Sequence, residues 1–362
     1  GNPPYQLNVG NEGVNASRSG AIYNKFIDKA LEMNPKYISM ITPSRWMTNS
    51  ALGISSEWVK NKLSSGIFKI MVDYEDAREV FPSVNINGGV NYFLIDSKYK
   101  GKCNYTHIYE NGEVSNDTID LNALGMGLAI RDLNAMSIIR KIEKIEGKEY
   151  WRNNSFSDIV SPSGYYQVGN ILTTSWRDYS KVRSEINPVK YYVSESTNGV
   201  PFGWINKNQI PRNSEIVEKR KVFIPFIHGG ANQVLGHPIY GEEGSICSQT
   251  FITIGYKNGL TIEEAYNTIK YISTKFFRFL VKTLKKTQMG SSWTYSLVPI
   301  SNINFEFKDE KDLYKKYCLT DTEIDYINKS VSEMDVSIEL ERIQEEIDYI
   351  EDNIDPMPTS DD

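Results

Sequence analysis

A chain of 362 residues with 40% hydrophobic and 24% charged side chains has the apolar content for more than one packed core, which excludes a low-complexity or disordered protein. No apolar run reaches the length of a membrane span, the start is polar, and Cys103, Cys247 and Cys318 lack metal-ligand spacing, so a cytoplasmic protein without a membrane segment is expected. The net charge of −6 conceals an asymmetry: 12 acidic residues face Arg342 alone from Glu333 onward, while Arg131–Ile300 holds 22 basic and 14 acidic residues, a balance that fits either a polyanion partner or a solvated lysine-rich surface.

Along the chain, residues 1–110 alternate helix and strand. "SGAIYNKFIDKALEM" sets Ile22, Phe26, Ala30 and Met33 at helical spacing, and Asn34-Pro35 ends it. "YISMITP" is a short strand stopped by Pro43. "SSEWVKNKLSSG" is a helix capped by Ser55 or Ser56 and closed by Gly66. "IFKIMVDY" and "GGVNYFLID" are strands, the second entered through Gly88-Gly89, and "NYTHIYENGE" is a strand running into a turn. This alternation predicts a parallel, helix-covered sheet. Helix is expected from about Leu124 to Tyr150. Residues 151–260 are rich in Ser, Asn, Gly, Tyr and Trp, with short strands expected in "YYQVGNILTT", "VKYYVS", "KVFIPFI" and "SQTFITIG", as in an irregular α+β domain with long loops. "TIEEAYNTIKYISTKFFRFLVKTLKKT" is one long helical stretch with Thr261 and Glu264 as a capping box. A second capping box opens "TDTEIDYINKSV" at Thr320. "IELERIQEEIDYIEDNI" is an acidic amphipathic helix, and "DPMPTSDD" is expected to be disordered.

The chemistry of the sequence is concentrated at its start, Asn2-Pro3-Pro4-Tyr5. Two prolines fix the backbone and remove two N–H donors, which leaves carbonyls, above all that of Pro3, as unpaired acceptors. Asn2 adds a side-chain carbonyl. Two acceptors at close range hold both hydrogens of a planar amine and turn its nitrogen lone pair toward an electrophile. Tyr5 offers a flat face to the ring that carries the amine. Positioning does the work, and no perturbed acid or base is needed. Taken alone, the four residues are equally compatible with a plain proline turn.

Together with "TPSRW", "IFKIMVDY" and "FPSVNINGGVNYFLID", the loop resembles the catalytic half of adenine-N6 DNA methyltransferases, in particular the methylase domains of type IIG and related restriction-modification enzymes. "CSQTFITIG", "YISTKFFRFLVKTLKKTQ", "YSLVPISNINF" and "LYKKYCLTDTEIDYINKSV" resemble the target-recognition region and C-terminal return of that group, while "DIVSPSGYYQVGN" departs from its pattern. The resemblance implies that Asn2, Pro3, Pro4 and Tyr5 hold the target adenine. It implies that Gly88, Gly89, Val90, Asn91, Tyr92 and Phe93 form a further wall of the pocket, with Tyr92 or Phe93 as a second aromatic contact; strand neighbours point to opposite faces, so one of the two is strand core. S-adenosylmethionine would donate the methyl group, and double-stranded DNA would be the partner, its target base flipped out of the stack. The implied fold is α/β: an incomplete Rossmann-like methyltransferase sheet at 1–122, a helical connector at 123–150, an α+β target-recognition domain at 151–300, C-terminal helices at 301–352 and a disordered acidic tail at 353–362.

Within the middle of the chain, "TTSWRDYSKVR" and "FFRFLVKTLKKTQ" set Arg177, Lys181, Arg183, Arg278, Lys282, Lys285 and Lys286 near aromatics, as candidate phosphate and guanine contacts. Phe276, Phe277 and Phe279 read instead as core. The glycine-rich loop and ribose-binding acid that the family carries ahead of its catalytic loop have no equivalent here; "ALGMGLAI" at 123–130 comes nearest. The cofactor site is therefore expected upstream of Gly1, with the chain a fragment inactive alone, and a nuclease or cofactor-binding part, fused or separate, is an expected partner. The alternatives are a non-catalytic DNA-specificity protein, or a methyltransferase acting on a protein glutamine or an RNA base. Asp132 with Glu146-Gly147-Lys148 mimics a nuclease pattern by chance. His107, His228 and His237 lack the further ligands of a metal site, and "HGGANQ" lacks the lysine-threonine ending of a phosphate loop.

Overall fold

In the computed structural model, residues 1–6, 20–84, 86–194, 201–227, 234–285 and 288–353 are described. They form a mixed α/β fold in two units, Gly1–Arg140 and Lys141–Asp362.

In the first unit, β1 (Tyr37–Pro43), β2 (Phe68–Tyr74), β3 (Val90–Asp96), β4 (Cys103–Ile108) and β5 (Val114–Ile119) make one sheet in the order β1-β3-β2-β4-β5. Only β2 and β4 are parallel neighbours; β3 runs antiparallel to both β1 and β2. The sheet is therefore mixed, where the alternation predicted a parallel one. The cause is the β2–β3 connection: it contains a single 3-10 turn, Ala77–Glu79, and no crossover helix, so the chain returns antiparallel. Two helices, α1 (Tyr23–Glu32) and α2 (Ser56–Leu63), cover one face. Tyr23, Ile27, Val59 and Leu63 from these helices share a core with Ile38, Phe68, Met71, Phe93 and Ile95 of the sheet. On α1 the buried stripe starts at Tyr23, and Phe26 and Met33 of the expected stripe are 42% and 82% exposed.

Gly1 lies along the free edge of β1. Its ammonium donates to the Ser39 carbonyl at 2.5 Å, and the Ile41 N–H donates to the Gly1 carbonyl at 2.9 Å. That is the two-bond pattern of a parallel bridge centred on Met40. Residues 2–5 therefore leave the sheet at the end where β1 and β2 finish, which is where open α/β sheets hold their ligands.

Helix α3 spans Leu133–Glu146, shorter than the stretch expected from Leu124. Before it, Gly125 and Gly127 take φ of 69° and 74°, which no helix accommodates. The cap of α3 is Asp132, whose Oδ1 accepts the N–H groups of Asn134 and Ala135 at 2.9 and 3.1 Å.

The second unit holds two small sheets. One orders β10-β6-β7 from β6 (Val189–Tyr192), β7 (Phe202–Ile205) and β10 (Ser245–Cys247); the other orders β11-β8-β9 from β8 (Lys221–Pro225), β9 (Ile239–Gly241) and β11 (Phe251–Ile254). "YYQVGNILTT" is not a strand. Gly164, Gly169 and Leu172 all take positive φ, and one isolated bridge, Val168–Ile171, remains. The long helix expected from Thr261 is two helices, α4 (Ile262–Ser273) and α5 (Lys275–Leu284). Thr274 breaks it: its backbone is extended, and its Oγ1 accepts the Phe277 N–H at 3.1 Å to cap α5. Threonine favours such a cap over a helix interior. Helix α5 buries nearly all its side chains, Phe276, Phe277 and Phe279 among them, and leaves Lys282 exposed. Then follow α6 (Glu310–Lys316), α7 (Asp321–Ser330) and α8 (Ser337–Asp352), with capping boxes at Thr261/Glu264 and Thr320/Glu323. The acidic α8 is tied down through Glu346, which pairs with Arg220 at 2.7 Å and accepts the Tyr240 hydroxyl at 2.8 Å. "DPMPTSDD" lies outside the described residues. No helix among the described residues is long and apolar enough to cross a membrane.

Candidate active site

The Asn2–Tyr5 loop is strung between two anchors. Gly1 is bonded to β1; at the other end the Tyr5 carbonyl accepts the Ile22 N–H at 3.2 Å, and Gln6 bridges to Ala21. Between them Asn2 is exposed, and among the described residues neither its side chain nor the Pro3 carbonyl has a hydrogen-bond partner. Tyr5 is half-buried, with its ring edge-on to Tyr23 at 6.3 Å between centroids and packed on the core. Its hydroxyl is buried without a partner among the described residues, and that burial pushes its pKa up. The loop thus offers acceptors outward and keeps its aromatic ring fixed from behind.

Beneath this rim the core face of the sheet changes character. One row across it is Met40, Phe93, Met71 and Tyr105; the next, toward the rim, is Thr42, Asn91, Asp73 and His107. All four residues of that second row are buried. Ser44 Oγ donates to Asp73 Oδ1 at 2.5 Å and accepts from Asn91 Nδ2 at 3.1 Å; Tyr105 OH donates to Asp73 Oδ2 at 2.8 Å, and His107 Nδ1 lies 3.0 Å from the same oxygen. Arg131 closes the row with Nε to Oδ2 at 2.6 Å, Nη2 to Oδ1 at 2.9 Å and Nη1 to the Gly88 carbonyl at 2.7 Å. Burial alone would raise the Asp73 pKa, but the Arg131 guanidinium and His107 override it and hold the carboxyl well below the usual carboxylate range. This network was missed in the sequence. It fixes from behind both the Ser44 turn and the glycine turn that leads to Tyr92.

That glycine turn is sterically obligatory. Gly89 takes φ of 77°, and a Cβ on it would stand 1.9 Å from the Tyr74 carbonyl oxygen. Gly89→Ala is expected to cost more than the ~1–3 kcal/mol of an ordinary strained residue, whereas at Gly112, with φ of 82° and nothing within 4 Å, alanine meets the backbone cost alone. Thermal unfolding of the two variants side by side checks this.

Tyr92 and Phe93 part company. Phe93 is fully buried, edge-on to Phe68 at 5.1 Å. Tyr92 is 41% exposed, and its ring lies 6.3 Å from Tyr74, on the sheet face turned away from the core against which Tyr5 packs. The structure therefore does not bring Tyr92 and Tyr5 onto one face, and it keeps Phe93 inside the core.

Of the basic residues, Arg177, Lys181 and Arg183 are exposed on the irregular segment before β6. Arg177 Nη1 donates to the Thr174 and Trp176 carbonyls at 2.6 and 2.9 Å, and the Arg183 guanidinium lies 5.3 Å over the Trp204 ring. Lys282 is exposed, with Nζ on the Ser330 carbonyl at 2.9 Å, and Lys285 is half-buried. Arg278 is not at a surface. It is 1% exposed, and its guanidinium donates to the carbonyls of Thr274, Ser332 and Ser273. It lies on the buried side of α5, where it ties the α4–α5 junction to the chain just after α7. Lys286 and His228 lie outside the described residues, as does "HGGANQ" at 228–233.

Asp132 is spent on the α3 cap, while Glu146 accepts the Tyr317 hydroxyl at 2.7 Å and pairs with Lys316 at 2.9 Å. No group of three or more His, Cys, Asp or Glu residues stands where a metal could be held among the described residues. The glycine-rich stretch 123–130 has its backbone engaged: the Gly127 N–H donates to Asn122 Oδ1, the Gly127 carbonyl accepts from Asn49 Nδ2, and the Ala129 N–H donates to the Met47 carbonyl. Those peptide groups are not available to cradle a nucleotide-like cofactor.

Comparison with known proteins bears on this geometry. Residues 1–81 match the family described as Eco57I restriction-modification methylase. The chain is 38% identical over 105 residues to an uncharacterized adenine-specific methylase of Mycoplasma pneumoniae (strain ATCC 29342 / M129 / Subtype 1), a stretch that is 28% of this chain and 24% of that protein. The chain thus spans about a quarter of the length of the curated relative it matches. Among solved structures, it is similar to the Type IIL restriction-modification enzyme MmeI in complex with DNA (TM-score 0.42, 11% identity, 99% of this chain and 54% of that one). It is also similar to the type IIG restriction endonuclease BpuSI (TM-score 0.29, 12% identity, 87% and 47%).

Proposed function

From the restriction-modification methylase segment at residues 1–81, we propose that this chain belongs to a site-specific DNA methyltransferase that methylates adenine at N6. The observation that carries the reading is the Asn2–Tyr5 loop. It stands at the strand-end rim of the sheet, with two acceptors that bond no described residue and an aromatic ring anchored behind them. An adenine flipped from the duplex would place its exocyclic amine between the Asn2 side-chain carbonyl and the Pro3 carbonyl, with its ring against Tyr5. Both amine hydrogens would then be held and the lone pair presented for methylation. S-adenosylmethionine is the donor this reading requires. The glycine-rich stretch 123–130 does not fit it, since the Gly127 N–H and carbonyl and the Ala129 N–H are already bonded within the fold. What this chain supplies is the hold on the target amine.

In the same reading, residues 1–122 continue a Rossmann-like methyltransferase sheet, 123–150 connect, 151–300 recognise double-stranded DNA, and 301–352 return as helices. Arg177, Lys181, Arg183, Lys282 and Lys285 are the DNA contacts, and the enzyme works in the cytoplasm within a restriction-modification system. The test is to produce the protein from its native gene in a host whose DNA lacks N6-methyladenine, then sequence the host DNA for modified bases. N6-methyladenine at one recurring sequence is expected. A methylated protein glutamine or RNA base, with unmodified DNA adenine, would overturn the reading.

A further inference from the structure

In the second unit a cleft of about 700 Å³ opens among the 163–174 segment, the ends of β6 and β8, and the residues leading into β11. Its polar side chains among the described residues are the carboxamides of Gln167 and Gln249, the hydroxyls of Ser163, Thr174, Ser194 and Thr250, and the imidazole of His237, which lies 3.1 Å from the Asp335 carbonyl; none of the described lining residues carries a carboxylate, ammonium or guanidinium group. Such a lining suits neutral hydrogen-bonding edges with apolar patches between them.

Cations stand at its margins instead. Arg177 is bonded to the carbonyl of Thr174, a lining residue. On another side Phe226 lines the cleft, its carbonyl accepts the Gly290 N–H at 2.8 Å, and Lys285 Cε lies 3.9 Å from where a Gly290 Cβ would stand. Neutral donors and acceptors inside, with positive charge at the border, complement duplex DNA, whose base edges are neutral and whose flanking phosphates are anionic.

We infer that this cleft reads base edges of double-stranded DNA, with Gln249 as a specificity-determining side chain and Arg177 and Lys285 on the adjoining phosphates; the inference rests on the DNA-methyltransferase reading above. Gln249 is prepared for the task. Its Nε2 donates to Thr174 Oγ1 at 2.7 Å, which fixes the carboxamide plane. Among the described residues, one amide hydrogen and the Oε1 acceptor remain for an outside partner. Side by side, they match the N7 acceptor and N6 donor of an adenine in the major groove.

The test uses the protein from its native gene and a library of randomised duplexes, with the bound fraction sequenced at two salt concentrations. The wild type is expected to enrich one motif. Gln249→Ala should lose discrimination at one base pair of that motif by about tenfold or more, with the salt dependence unchanged. Gln249→Glu, nearly equal in volume, should move the preference there from adenine toward cytosine, whose N4 amine a carboxylate accepts. Arg177→Ala should weaken all sequences alike and lower the salt slope by about 1. If either glutamine variant fails to fold, Thr174→Val, which removes the hydroxyl that orients the carboxamide, should weaken the same preference. A wild-type motif kept with undiminished discrimination in these variants overturns the reading of the cleft and leaves the methyltransferase reading standing. Absence of salt-dependent binding of the wild type to any duplex overturns the DNA reading itself, and this inference with it.

Discussion

Alanine at position 131 is expected to lower the unfolding free energy of the first unit by about 3–5 kcal/mol, the cost of stripping one partner from a buried ion pair. Asp73 is wholly inaccessible and Arg131 is 7% exposed. Without the guanidinium, the carboxylate keeps its desolvation cost, and the Gly88 carbonyl loses its donor. Lysine should not rescue, because an ammonium cannot bond both Asp73 oxygens and the Gly88 carbonyl in one plane. Asp73→Ala should cost a similar amount, and the double variant less than the two losses added, because removing both charges leaves neither stranded. Urea unfolding of the four proteins measures this cycle. A near-additive result would show that the pair is not coupled.

Acid sharpens the same test. The folded pKa of Asp73 is depressed, so its stabilisation is present above the unfolded value of about 4. It is lost as pH falls below that value toward the lower folded one. Wild-type stability should therefore fall steeply below about pH 4. Arg131→Ala, lacking the main group that depresses the carboxyl, should fall less steeply over the same window.

The elements themselves were largely legible in the sequence. Helix and strand positions follow from periodicity, and the caps at Thr261 and Thr320 from residue type; of Ser55 and Ser56, the structure makes Ser55 the cap. What local pattern could not supply was direction and register. "IFKIMVDY" and "GGVNYFLID" read equally well as parallel or antiparallel strands, and the short route between them decided for antiparallel. Thr274 stands inside an unbroken helical pattern that hides the break, although a threonine before a run of phenylalanines is a cap as readily as an interior residue. The polar row left a trace: Asp73, Asn91 and His107 each occupy the core-facing phase of an otherwise apolar alternation. A charged or amide residue in that phase has to find partners, but only the fold shows that those partners are Ser44 and, 58 positions along from Asp73, Arg131. Arg278 shows the reverse case. A basic residue among aromatics resembles a ligand contact until it proves to lie on the buried side of its helix.

Asn2→Ala is expected to lower the rate of methyl transfer by about 10²–10³-fold, the usual consequence of deleting one preorganised hydrogen-bonding group at a reacting centre. DNA affinity and thermal stability should be nearly unchanged. The split follows from the geometry: Asn2 is exposed and bonds no described residue, so the fold does not depend on it, and in this reading its carbonyl is one of two acceptors that aim the amine. Tyr5 separates ring from hydroxyl. The hydroxyl is buried without a partner among the described residues, so Tyr5→Phe should keep full activity and leave stability equal or slightly higher. Tyr5→Ala removes the face on which the base stacks, along with the ring that packs on Tyr23, and should lose both activity and stability. Single-turnover transfer to a duplex bearing the protein's own recognition sequence, read beside melting temperatures, distinguishes these outcomes. Wild-type rates in Asn2→Ala would mean that the loop is a proline turn that shapes the rim, and that the target amine is held by other groups.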